Sequence, residues 1–71
     1  MKYYFSLQIT NKEFLPYYQG QISAINVITN SGVNVQFPAV HLRQHLDRKG
    51  VYGRFCLETQ NNKFLSLIKL V

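Results

Sequence analysis

Seventy-one residues, 46% of them apolar and 15% charged, suit one small folded domain and leave no room for a second domain or a disordered chain. A chain this short buries only about 60% of the surface it exposes when unfolded, so five Phe and five Tyr matter for the area that each ring can bury. The net charge of +5 is uneven: residues 1 to 35 carry +1, whereas 36 to 71 carry +4, with Arg43, Arg48, Lys49 and Arg54 inside twelve residues. Such asymmetry points to an anionic partner, through encounter and solubility rather than through the fold.

The opening KYYFSLQI alternates, with Tyr3, Phe5, Leu7 and Ile9 on one side and Lys2, Tyr4, Ser6 and Gln8 on the other, which predicts a half-buried strand. Thr10 and Glu13 then have capping-box spacing, and Ile9 with Phe14 has the spacing of a hydrophobic staple, so a helix starts near Asn11. Pro16 keeps that helix short or kinked, and Gly20 ends it. Gln21 to Thr29 is apolar on both faces and reads as an interior strand. The turn NSG and the alternating VNVQF complete a hairpin.

Pro38 opens a second helix whose Ala39, Leu42 and Leu46 share one face. After the glycines Gly50 and Gly53, the strand GRFCLET turns Phe55 and Leu57 one way and Arg54, Cys56 and Glu58 the other. QNNK turns the chain, and FLSLIKLV closes it as a strand apolar on both sides, with Leu65, Leu67 and Val71 as candidates to face outward. The order is β-α-β-β-α-β-β. Short links favour antiparallel pairing, giving an α+β domain with a twisted sheet of about five strands, open or partly closed, and two short helices. The doubly apolar second and last strands fit central positions or a subunit contact.

Four groups of residues are candidates for function. His41 and His45, four apart on a helix, have the geometry of two zinc ligands. No second pair of Cys or His stands at ligand spacing, so no metal is expected. Arg43 lies beside the apolar stripe and either pairs internally or reaches a ligand. Arg48, Lys49 and Arg54 with Tyr52 interleaved can follow a phosphate backbone while the ring stacks on a base. Against this, three cations around a loop are ordinarily a solvated surface, and no RNA-recognition signature is present. Three scattered carboxylates and one strand cysteine make no reaction centre, so neither catalysis nor a cofactor is expected.

YYQG at 17 to 20, QFPAVHLR at 36 to 43, GVYGRF at 50 to 55 and NKFLSL at 62 to 67 together resemble a short family of uncharacterised, mostly gamma-proteobacterial proteins. Pro16, and Gln44 with His45, depart from its usual pattern. The resemblance implies a bacterial domain of this length and carries no activity, so no functional residue transfers with it. A single Cys56, no signal-peptide pattern and no apolar stretch long enough for a bilayer make the cytoplasm the expected location. The expected function is a non-enzymatic binding module that uses Arg43, Arg48, Lys49, Tyr52 and Arg54 on an acidic partner such as nucleic acid. The alternative is a protein-interaction or self-association module working through the last strand.

Overall fold

The computed structural model describes all 71 residues. The chain forms β1 (Lys2–Thr10), α1 (Asn11–Tyr18), β2 (Ala24–Ile28), β3 (Asn34–Pro38), a 3₁₀ helix (Ala39–His45), β4 (Gly50–Gln60) and β5 (Lys63–Lys69). The α+β class and the order of elements are as the sequence predicts. The strands divide into two antiparallel sheets, β1-β4-β5 and β2-β3, and no barrel closes.

Local chemistry sets most boundaries. The Thr10 side chain accepts from the Glu13 N–H, and Glu13 reaches back to the Thr10 N–H, so the capping box forms as spaced. Phe14, the other half of the staple, is buried in the core, with Ile9 packed against that core. Pro16 limits α1 to eight residues. Asn61 and Asn62 both take positive φ in the two-residue link between β4 and β5, the conformation of a type I′ hairpin turn.

The core lies between the inner face of the three-stranded sheet and the β2-β3 hairpin. Phe5 and Phe55, directly opposed across β1 and β4, stack with centroids 5.9 Å apart, and Phe37 from the hairpin meets Phe5 at 5.8 Å. Ile25, Val27, Phe14, Ala39 and Leu42 fill the remaining space. No helix is long and apolar enough to cross a membrane.

Three expectations change. The central strand is β4, whereas β2 and β5 are edges, so apolar residues on both faces did not mark interior strands. The hairpin offers its buried face to the core, and its turn meets β1 through the Asn30 N–H donated to the Tyr4 carbonyl. Leu67 points inward, opposite Leu57, and is 5% exposed. A bulge explains this: Thr59 pairs with Phe64 and Glu58 with Ser66, so Leu65 is an extra residue that resets the alternation. Leu65 and Val71 do remain exposed, together with Ile68 and Leu70.

The second helix is 3₁₀ rather than α. Pro38 supplies an extended cap with no side-chain bond, the Ala39 N–H donates to the Ser23 carbonyl, and Ala39 and Leu42 are buried three residues apart, the repeat of a 3₁₀ turn. Leu46 lies just beyond it in extended conformation and still packs on the core.

Candidate functional site

The basic candidates gather around one tight turn and the start of β4. Asp47 folds the turn on itself. Its Oδ1 accepts from the N–H groups of Lys49 at 2.8 Å and Gly50 at 3.2 Å, and its own N–H donates to the Gly50 carbonyl. Asn11 holds the other side, with its backbone N–H donating to the Lys49 carbonyl and its Nδ2 to the Arg48 carbonyl. The Arg48 and Lys49 side chains are left exposed.

Glycine is required where this turn enters β4. Gly50 stands opposite Thr10 with φ +135°, and a Cβ there would overlap the Ile9 carbonyl oxygen and come within 2.7 Å of the Thr10 carbonyl carbon. Gly53, φ +140°, leaves room for the last residues: a Cβ would lie 2.6 Å from the Val71 carbonyl oxygen and 2.8 Å from Cε of Lys69. The GVYGRF stretch therefore lets chain segments approach.

Beyond the turn, Tyr52 and Arg54 follow each other on the outer face of β4, opposite Gln8 and Ser6. Arg48, Lys49, Tyr52, Lys69 and Asp47 line an open groove of about 410 Å³. Tyr52 also borders an adjoining groove lined by Arg54, Gly53, Ser6, Leu7 and Gln8. The half-buried ring is thus shared, with Arg48, Lys49 and Lys69 on one side and Arg54 on the other. Lys69 is absent from the sequence-based set. Only the pairing of β5 with β4 brings it in, placing it opposite Phe55 at the end where the turn lies.

The carboxylate in the groove does not cancel this charge. The Lys49 and Gly50 N–H groups hold Asp47 below the usual carboxylate range, with a smaller pull from Lys69 and Lys49, so it stays ionised and bonded to the backbone. Three cations face one carboxylate there.

Arg43 stands apart from this groove. Its guanidinium donates to the Tyr18 carbonyl at the end of α1 and lies over the Tyr18 ring, 4.8 Å from the centroid. Both contacts tie the 3₁₀ helix to a helix C-terminus that has no basic residue of its own. The histidines are packing groups as well. His41 stacks flat on Phe64 with centroids 3.6 Å apart, and His45 meets Phe55 edge-on with Nε2 3.4 Å from the Leu67 carbonyl oxygen. No three side chains of His, Cys, Asp or Glu cluster as a metal site would require. Cys56 is a free thiol, 6% exposed although it lies on the outer face, between its cross-strand neighbours Tyr4 and Ile68.

A family model described as "Protein of unknown function (DUF2835)" matches residues 1 to 70. The chain belongs to this family. No curated protein and no solved structure matches it. In this DUF2835 chain, the stretches that carried the resemblance serve mainly the scaffold. Phe37, Ala39 and Leu42 are core, Arg43 locks two helices, Gly50 and Gly53 admit neighbouring backbone, and Phe64 and Leu67 close the inner face of β5.

Proposed function

We propose that the protein is a non-enzymatic binding module that takes single-stranded nucleic acid across the grooves around Tyr52. One observation carries this: a half-buried aromatic ring has Arg48, Lys49 and Lys69 on one flank and Arg54 on the other. A base has a π-face to set against the ring, and the backbone phosphates on either side meet cations. Tyr52 and Arg54 are about 7 Å apart along the strand, which separates a stacked base from a phosphate contact. A duplex, whose bases are already stacked, cannot use the ring without opening.

Self-association through the last strand is the weaker alternative. Ile68, Leu70 and Tyr4 are exposed. However, β5 carries Lys63 and Lys69 at its ends and a bulge at Leu65, features that keep edge strands from pairing.

Fluorescence anisotropy with a labelled mixed-sequence oligonucleotide tests the proposal. Engaging three to four cations gives a slope of log affinity against log salt of about −2 to −3 for a single strand. Tyr52→Ala weakens binding by about 1–3 kcal/mol, and a duplex of the same sequence binds less tightly. No binding at low salt, or full affinity in the Tyr52→Ala protein, overturns the proposal.

A further inference from the structure

A carboxylate inside a groove for anions opposes its ligand, so Asp47 calls for a physical reason. Its contacts supply one. Asp47 Oδ1 accepts the N–H groups of Lys49 and Gly50, which turns the chain between them. On the opposite side, Asn11 donates to the carbonyls of Arg48 and Lys49. The peptide groups that flank the two basic side chains are therefore bonded from both directions, by a residue 37 positions away in one case and two positions away in the other.

We propose that Asp47 and Asn11 are positioning residues of the anion site: they hold the Arg48–Lys49 turn in one conformation, so that both cations enter the groove beside Tyr52 from a rigid base. The inference rests on the binding reading above. A turn already ordered loses little freedom when phosphate arrives, whereas a loose one must be ordered by the ligand at the expense of affinity. Asp47 has two opposed effects here. Its charge weakens anion binding, and its hydrogen bonds strengthen it.

Two substitutions separate these effects. Asp47→Asn keeps an Oδ1 acceptor and removes the charge; Asp47→Ala removes both. The Asn protein binds the oligonucleotide as tightly as the parent or up to about fivefold more tightly, because the repulsion is lost while an Oδ1 acceptor for the turn is kept. The Ala protein binds about fivefold less tightly than the Asn protein, although their charges are equal. Asn11→Ala, which changes no charge, weakens binding about threefold.

Amide hydrogen exchange by NMR reads the turn without any ligand. The Lys49 and Gly50 amides exchange slowly in the parent and in the Asn protein, and fast in the Ala protein, with β4 amides protected in all three. Equal affinities of the Asn and Ala proteins, with the parent binding, overturn the positioning role alone. So does fast exchange of both amides in the parent. An absence of oligonucleotide binding by the parent overturns the binding reading and this inference with it.

Discussion

Replacing Gly50 with alanine tests the close approach that fixes the basic turn to β1. The residue has φ +135° and stands directly opposite Thr10, where a Cβ would overlap the Ile9 carbonyl oxygen and lie 2.9 Å from the Asn11 nitrogen. The obstacle is backbone, so no side chain can swing aside. Alanine at this φ costs about 1–3 kcal/mol. The end of β1 must also retreat, an overpacking strain of about 1–3 kcal/mol. The hydrogen bond from Asn11 N–H to the Lys49 carbonyl, 3.1 Å long, goes with it, about 1 kcal/mol more. A chain of 71 residues has roughly 4–11 kcal/mol of stability in all. Gly50→Ala therefore removes about two thirds of it. Gly20 provides the comparison, since its φ is +81° with nothing within 4 Å of an added Cβ. There alanine costs only the conformational strain, about 1–2 kcal/mol. Urea denaturation followed by circular dichroism measures both, and with m of about 1 kcal/mol/M the Gly50→Ala midpoint falls by about 3 M or more. Equal losses from the two substitutions would refute the steric reasoning and leave φ as the only cost.

Two further outcomes are expected. Arg43→Ala loses the carbonyl bond and the ring contact at Tyr18, which lowers stability by about 1–2 kcal/mol in the same urea assay. Its oligonucleotide affinity stays within about twofold of the parent, and a loss as large as that of Arg48→Ala would instead place Arg43 in the binding surface. Acid should also destabilise the fold. Glu13, bonded by the Thr10 backbone N–H and then by its hydroxyl, and Asp47, bonded by the Lys49 and Gly50 N–H groups, both titrate below their ordinary range. A depressed folded-state pKa gives stability that is complete above the unfolded value, about pH 4, and is lost as pH falls through the folded value. Thermal melts from pH 6 down to 2 should show Tm falling mainly below pH 4, with Glu13→Gln and Asp47→Asn each flattening the decline.

Residues whose partners lie within a few positions were legible from sequence. Thr10 and Glu13 form their capping box, Pro16 shortens α1, the alternation of Tyr3, Phe5, Leu7 and Ile9 faces the core, and the two turns fall where Asn30–Gly32 and Asn61–Asn62 place them. Each of these depends on sterics and hydrogen bonding inside one turn or strand, which residue order alone specifies. The clustering of Arg48 and Lys49 with Tyr52 also follows from their closeness in the chain.

Contacts between distant segments were decided by the tertiary structure. Apolar residues on both faces of β2 and β5 gave no information on which strand is central, because only one face of each meets the core while Ile28, Leu65 and Ile68 on the other stay exposed. One bulged residue, Leu65, was enough to turn Leu67 from a surface residue into a core one, since side chains in a strand alternate with a period of two. Arg43 left the basic group for Tyr18, 25 positions away, and Lys69 joined it through the pairing of β5 with β4. Composition already held the basic charge. Which cations share a groove with Tyr52 depends on strand register and on the glycines that let backbones meet, and both are properties of the folded chain.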